Sequence, residues 1–319
     1  MESRFRRGLS RRTRRRRQTI NFSRGLTLKV LVTGGEGFIG KHLINALVGA
    51  GYEVHSLDDK SHPSTLPKNP KCTYFYGDVE EIFDLQFFNS SIPDPSYNLI
   101  YHLGALSRIQ PSFRKPTEFF RVNATGTQKI LDFARIQGTS RVVYAGSSSR
   151  WHNPEISPYA TSKKVGEDLC KMYRTVYEVD TQIARFYNVY GEGELVDDPF
   201  AAVIGKWRHQ TNLGEPITIV GDGEQRRDFT HVDDIVQGLL RIGVGVLPDD
   251  IFEWELGTGH NYSINEVADM FVERFGCEKV YIPDQKGNYQ ETLRESDDSL
   301  KYLKWLPQDR LRSYIKELK

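Results

Sequence analysis

From residue 28 onward the apolar positions switch repeatedly between a strand rhythm and a helical one. Leu28 to Val32 is a short aliphatic, β-branched run, the composition of a strand buried on both faces. Phe38, Ile39, Leu43 and Leu47 then recur at helical spacing, Gly51 stops that helix, and "YEVHSL" forms a second strand ending in Asp58. "CTYFYGDV" predicts a strand running to Asp78 and Val79, and "YNLIYHLGA" one ending near Leu103 to Ala105. "FFRVNATGTQKILDFARI" predicts a helix and "RVVYAGSSS" another strand. In "SPYATSKKVGEDLC", Ser157 suits an N-cap and Pro158 a first helical position. Val165, Leu169, Met172 and Val176 would form the apolar face of that helix. Strands alternating with helices predict an α/β doubly wound parallel sheet with right-handed crossovers. Ligands of such sheets sit at the carboxyl ends of the strands.

Two groups of residues at those ends carry chemistry. Gly34, Gly37 and Gly40 form G-x-x-G-x-x-G between the first strand and the first helix. Glycines there let backbone approach a pyrophosphate, and the helix N-terminus offers free N–H groups to it. Asp58, 24 residues after Gly34, closes the second strand, where a carboxylate accepts hydrogen bonds from ribose hydroxyls and repels a 2′-phosphate. The cofactor expected from these residues is NAD. Tyr159 and Lys163 share one helical face and reach one small volume. Tyr-x-x-x-Lys alone is common on helix surfaces; here the pair follows a strand whose end carries Ser147, Ser148 and Ser149.

Charge and cysteine content narrow the setting. The formal net charge is +1, but residues 1–25 hold ten arginines and one acid, a balance of +9 that leaves −8 for the rest. The composition of "RRGLSRRTRRRRQ" predicts a solvated extension outside the fold, with an arm for nucleic acid or an acidic surface as the alternative. Only Phe5 and Phe22 are available for base stacking there. Cys72, Cys170 and Cys277 show no metal spacing and suit a reducing compartment. No apolar run is long enough to span a bilayer. The expectation is a cytoplasmic protein without metal or membrane partner.

Several segments together carry a family resemblance: "TGGEGFIG", "GDV", "HLGA", "NATGT", "SPYATSK", "ARFYNVYG", "GDGEQRRDFTHVDDIV" and "ETLRESDDSLKYLKW". From about Leu28 to Trp305 the chain resembles the extended short-chain dehydrogenases/reductases. Within them it is similar to the NAD-dependent nucleotide-sugar epimerases and dehydratases, most of all the UDP-glucose 4-epimerases. The resemblance implies a Rossmann-type NAD domain over residues 27–184, to which 226–260 return. A smaller C-terminal α/β substrate domain would span 185–225 and 261–319, with residues 1–26 as the basic tail. It implies that Gly34, Gly37, Phe38, Ile39 and Gly40 hold the NAD pyrophosphate and Asp58 the ribose. Asp78 and Val79 would line the adenine site. Leu103, Gly104, Ala105 and Ser107 would follow the nicotinamide half, supported by Asn123 and Tyr187. Ser147, Tyr159 and Lys163 would be catalytic, with Lys163 lowering the Tyr159 pKa. Asn188 and Arg227 would contact the substrate diphosphate, Phe229 would border the nucleotide, and Thr292 would border the sugar C2 substituent, a small residue there admitting N-acetyl sugars. A homodimer is implied, formed through the Tyr159 helix and the helix near 117–137.

The chain also departs from the family pattern. Ser148 and Ser149 stand where 4,6-dehydratases carry an Asp-Glu pair, which disfavours water elimination. Arg150 and Trp151 replace smaller residues in a stretch expected beside the sugar pocket. Gln285 stands where relatives carry a second phosphate-binding arginine, leaving Lys286 as the candidate substitute. The histidines, His152 and His231 among them, read as surface or capping residues. The expected reaction is NAD-dependent C4 epimerisation through a 4-keto sugar. Other NAD-dependent nucleotide-sugar chemistries (decarboxylation, reduction, dehydration) and a non-catalytic nucleotide sensor with a nucleic-acid-binding tail are the competing readings.

Overall fold

The computed structural model describes residues 28–83 and 96–319; the Arg-rich segment lies outside them. The strands are β1 Lys29–Thr33, β2 Glu53–Asp58, β3 Thr73–Tyr76, β4 Leu99–His102, β5 Arg141–Ser147 and β6 Thr181–Phe186. They continue as β7 Asn188–Tyr190, β8 Ile217–Val220, β9 Arg226–His231, β10 Glu253–Leu256, β11 Asn261–Ser263 and β12 Lys279–Ile282. The helices are α1 Phe38–Gly49, α2 Ile109–Arg114, α3 Pro116–Phe120, α4 Thr127–Gln137 and α5 Pro158–Tyr177. After them come α6 Val203–Asn212, α7 Val232–Val244, α8 Ile264–Phe275, α9 Asp298–Leu303 and α10 Leu311–Glu317. A π-helical stretch, Arg121–Gly126, joins α3 to α4 where the sequence pattern predicts one regular helix. No described helix is long and apolar enough to cross a membrane.

Seven strands form one sheet in the order β10-β6-β5-β4-β1-β2-β3, with every pairing parallel. This is the doubly wound, Rossmann-like architecture expected from the strand–helix alternation. Successive residues of a strand face opposite sides, and the core divides accordingly. Val30, Val32, Leu99, Tyr101 and Val143 join α1 and α7 on one face. Leu31, Ile100, Val142 and Tyr144 join α4 and α5 on the other. A smaller lobe contains the three-stranded sheet β11-β9-β7 and the pair β12-β8, with α6, α8 and α10 around Trp207 and Phe271.

The partition between sheet and lobe is finer than the expected residue ranges. β9, within the segment expected to return to the first domain, pairs with β7 and β11 of the lobe. α7 and β10 do return, β10 pairing with β6. Leu303 and Trp305, inside the range assigned to the substrate domain, are buried on the main-sheet core.

Helix α5 also presents a different face from the one its apolar spacing predicts. Ser157 caps it by accepting from the Ala160 N–H at 3.1 Å. Its buried side is Ala160, Ser162, Lys163, Gly166, Glu167, Cys170 and Tyr173. Leu169 and Met172 pack only partly on the core, and Val176 is 61 % exposed. Gly166 lets the helix sit close to β5, since a Cβ there would overlap the Tyr144 hydroxyl. Glu167 is buried because Arg185 of β6 meets it with two nitrogens, Nε at 3.1 Å from Oε1 and Nη2 at 2.8 Å from Oε2. Glu253 of β10 is a second partner of Arg185.

Removing one member of a buried ion pair strands the other. Arg185→Met is expected to cost about 3–5 kcal/mol, read as a lower denaturant midpoint at unchanged slope. The double variant Glu167→Gln/Arg185→Met should recover most of that loss. Equal losses in the single and double variants would show that the pair does not hold the helix.

Candidate active site

Two cavities open at the carboxyl ends of the strands. The first, about 300 Å³, lies over β1, β2, β4 and β5. The second, about 720 Å³, lies between the sheet and the smaller lobe. Arg108, Ser147, Tyr159 and Tyr187 belong to the walls of both.

The glycine turn builds one end of the first cavity. Gly34 has φ +71°, and a Cβ on it would come within 2.7 Å of the Gly104 nitrogen. A Cβ on Gly40 would overlap the Gly34 carbonyl oxygen. The absence of side chains therefore brings the β1–α1 and β4–α2 turns together. Gly37 precedes α1 and no side chain caps that helix, so its first-turn N–H groups are left for a ligand. Gly34, Gly37, Phe38, Ile39 and Gly40 all line the cavity. Asp58 sits in the same wall, its two carboxylate oxygens accepting the Glu36 N–H at 2.9 Å and the Lys60 N–H at 2.7 Å. Each oxygen keeps a further lone pair. Burial raises the Asp58 pKa, and the two N–H groups oppose the rise.

Asp78 and Val79 line the cavity at the end of β3. The Asp78 carboxylate caps the turn through the Glu80 N–H and accepts from Arg121 Nη1 at 2.6 Å. Leu103, Gly104, Ala105 and Ser107 form the opposite wall, with Ser107 at the exposed rim. Asn123 is not in the wall. It is fully buried, and its amide binds the Leu106 N–H at 2.8 Å, the Leu106 carbonyl at 2.9 Å and Ser162 Oγ at 3.0 Å. It shapes the 103–107 loop from behind.

His102 does the same and corrects the surface reading of the histidines. It is 2 % exposed, with Nδ1 2.7 Å from Thr33 Oγ1 and Nε2 3.0 Å from Thr127 Oγ1. Thr127 donates its hydroxyl to the Asn123 carbonyl, so His102 Nε2–H donates to Thr127 and Nδ1 accepts from Thr33. Thr33 in turn accepts the Gly104 N–H at 3.0 Å. Burial holds His102 neutral, its pKa pushed down to about 3.

At the junction of the cavities, the Tyr159 hydroxyl donates to Ser147 Oγ at 3.2 Å. Ser149 Oγ lies 2.9 Å from the same oxygen. Lys163 is 4 % exposed, lines the first cavity, and sets its ammonium 4.4 Å from the centre of the Tyr144 ring. Burial pushes its pKa down to about 8. Burial raises the Tyr159 pKa, and the Ser147 hydrogen bond and the Arg108 charge oppose that rise. Arg108, a residue the sequence pattern does not single out, shares the walls of both cavities with the phenol. Tyr187 donates to Glu255 Oε2 at 2.7 Å and presents its ring to both cavities.

Asn188, Arg227, Phe229 and Thr292 converge on the second cavity. Asn188 Nδ2 donates to the Asp228 carbonyl at 3.0 Å and to Thr292 Oγ1 at 3.2 Å, which turns its amide oxygen away from both. Arg227 lines the cavity, and burial pushes its pKa down to about 10. Arg226 points the other way, to Asn261 and Glu266. Gln285 and Tyr289 complete this wall. Lys286 does not belong to it; its ammonium lies over the Phe113 ring. Arg150 and Trp151 also leave the pocket free. Arg150 turns to Glu167 and Asp168, and Trp151 lies under the Arg185 guanidinium at 4.9 Å. His152 stacks on Tyr289 instead, ring centres 4.7 Å apart. Glu194, from the glycine-rich loop after β7, is a further wall residue of the first cavity. Burial raises its pKa to about 7.

The profile of the NAD dependent epimerase/dehydratase family matches residues 30–244. The UDP-glucuronate 4-epimerase of Thermodesulfobacterium geofontis is 28 % identical, covering 87 % of this chain and 91 % of that protein. The UDP-glucose 4-epimerase of Mycolicibacterium smegmatis is also 28 % identical, covering 88 % and 94 %. Among solved structures, the Thermotoga maritima UDP-glucose 4-epimerase with UDP-glucose superposes with a TM-score of 0.82 at 25 % identity, covering 91 % of this chain and 96 % of that one. With a matched span that runs from the glycine turn through the Tyr159–Lys163 helix to the end of α7, the chain belongs to the NAD-dependent epimerase/dehydratase family, a family of nucleotide-sugar enzymes.

Proposed function

We propose that the protein epimerises a nucleotide sugar at C4 through a transient 4-keto sugar, as a UDP-glucose 4-epimerase does. The observation that carries this reading is the place of Ser147 and Tyr159. They form the partition between the glycine-turn cavity and the cavity that holds Arg227, so one phenol reaches both a cofactor and a substrate.

The first cavity fits NAD. Its glycine cradle excludes side chains, the start of α1 is uncapped, and Asp58 offers carboxylate oxygens at the end of β2. Gly34, Gly37 and Gly40 would hold the pyrophosphate, Asp58 the adenosine ribose, and Lys163 the nicotinamide ribose. When bound, NAD supplies the acceptor and donor of the hydride at the sugar C4.

The chain's own residues handle the proton. Tyr159 takes the proton of the 4-hydroxyl through its phenolate oxygen and gives it back once the keto sugar presents its other face. Ser147 Oγ, 3.2 Å from the Tyr159 oxygen, keeps the transferring proton within a hydrogen-bonded path. Arg227 and the Asn188 amide oxygen would hold the diphosphate, and Phe229 the nucleotide. Thr292, in the wall of the second cavity and bound to Asn188, would by its small size leave the C2 side of the sugar open to an acetamido group. Ser148 and Ser149 supply no acid or base for dehydration.

Epimerisation is tested with UDP-glucose, UDP-galactose and their N-acetyl forms. The wild type should interconvert each C4 pair without net consumption of cofactor. Tyr159→Phe should keep its fold and bound NAD and lose at least about two orders of magnitude in turnover. A folded Tyr159→Phe protein with wild-type turnover, or release of carbon dioxide or net oxidation of added NADH, would sink this reading.

Asp58 sets the cofactor choice. NAD should bind at least about tenfold tighter than NADP, a difference of about 1.4 kcal/mol, and Asp58→Ser should narrow that gap. Equal binding by the wild type would show that the carboxylate does not face the ribose.

We also infer a homodimer through α4 and α5. Its support is apolar surface on both helices, Ile136 being 56 % and Val176 61 % exposed. Sedimentation should give twice the monomer mass, and Val176→Glu should shift it toward the monomer. A monomeric wild type at micromolar concentration would refute the dimer.

A further inference from the structure

Arg108 has no role in the mechanism above, yet it stands where the two cavities meet. Its backbone has φ +80° and ψ 142°, a conformation that L side chains rarely adopt. Its Nε donates to the Phe200 carbonyl at 2.9 Å, which fixes the plane of the guanidinium. Among the described residues this is its only hydrogen bond, and it makes no ion pair there. The charged or titratable groups facing it are Tyr159 and Glu194. Glu194 is held instead by Tyr314 at 3.4 Å and Arg208 at 3.7 Å. Arg108 is half-buried and has no carboxylate of its own, so an anionic group of a ligand in the cavity is the partner its fork can take.

The position of Arg108 indicates which part of a ligand it meets. Arg227, where the diphosphate is placed, lines the second cavity alone, whereas Arg108 lines both. Arg108 and Tyr159 share the walls of both cavities, and Tyr159 marks the reacting carbon. The anion it receives therefore belongs to the sugar ring near C4. In a hexopyranose, the carbon next to C4 that bears an oxidisable arm is C5, and its oxidised arm is the C6 carboxylate. A planar guanidinium fork matches a carboxylate with two parallel hydrogen bonds, which lysine cannot offer.

We propose that the preferred sugar is a uronate, with the C6 carboxylate held by Arg108 while Arg227 holds the diphosphate. Arg108 is then a specificity residue for the C4 chemistry, and the proposal rests on the nucleotide-sugar reading of the site. It also gives a reason for the strained backbone, since relaxing it would withdraw the guanidinium from the junction.

The test is binding to the NAD-loaded Tyr159→Phe protein, which removes turnover from the measurement. UDP-glucuronate and UDP-glucose are titrated separately, in the Arg108 background and in Arg108→Gln and Arg108→Gly. Glycine suits the positive φ, so that variant removes the side chain without backbone strain. UDP-glucuronate should bind at least about tenfold tighter than UDP-glucose, and both substitutions should bring the ratio close to one. Equal binding of the two sugars with Arg108 present, or an unchanged ratio in both variants, overturns the uronate proposal and leaves the epimerase reading standing. If neither nucleotide sugar binds, the nucleotide-sugar reading falls and the proposal with it. A further readout separates a purely electrostatic role: if Arg108→Gly in the Tyr159 enzyme shifts the pH profile of turnover equally for both sugars with no change in their ratio, Arg108 acts on the phenol and not on a carboxylate.

Discussion

The site depends on how α5 is seated on the sheet, and one buried ion pair seats it. Tyr159, Lys163 and Glu167 follow one another at intervals of four, so they share a face and step along the helix. Glu167 is locked to Arg185 of β6 through two nitrogens, inside protein on both sides. That fixes the rotation of α5 about its axis and its position along the strands. One turn earlier, Lys163 is carried under the first cavity; two turns earlier, Tyr159 reaches Ser147 at the end of β5. Gly146 and Gly166 make the close seat possible, since a Cβ on Gly146 would come within 2.8 Å of Glu167 Oε1. A helix held only by apolar contacts could slide by part of a turn at small cost. A bidentate buried pair cannot, because any slip leaves two desolvated charges unmatched.

The same logic explains what could be read from the sequence and what could not. The parallel sheet was legible because strands buried on both faces are written as uninterrupted apolar runs. The glycine turn was legible because its close approaches exclude every other residue. The buried face of α5 was not. It carries Lys163 and Glu167, which hydropathy assigns to solvent, whereas Val165, Leu169, Met172 and Val176 look like a core stripe and stay partly exposed. Burial of those charged groups depends on partners far away in sequence, Arg185 above all. No local pattern encodes that.

Distance in sequence also hid the supports of the cofactor cavity. His102 is a polar residue at a strand end, a common surface position. It is buried because Thr33 and Thr127, from a strand and a helix on either side of it, satisfy both ring nitrogens. Asn123 was legible only as part of a motif; its spent amide shows a scaffold behind the wall instead of a contact within it. Arg150 and Trp151 were misread for a related reason. Their stretch was expected beside the sugar pocket, but Arg150 turns to Glu167 and Asp168 and Trp151 to Arg185. Arg108 escaped notice because nothing in "ALSRIQ" announces a positive φ.

The electrostatics at Tyr159 suit a residue that must act in both directions. A side chain used only as a base would be served by surroundings that favour the phenolate throughout. Here burial favours the neutral phenol, while Ser147 and the Arg108 charge favour the phenolate. The two tendencies oppose each other at one oxygen, and burial prevails, so the pKa stands above that of a free phenol. The proposed C4 epimerisation needs the phenol in both roles: the proton taken from the 4-hydroxyl must be returned to the same oxygen after the ring has turned. The neighbouring lysine is poised in a similar way, its pKa pushed down to about 8 by the same burial. Burial thus disfavours the charged form of both central groups, and the charges of the bound cofactor and substrate decide how far each is drawn back toward it.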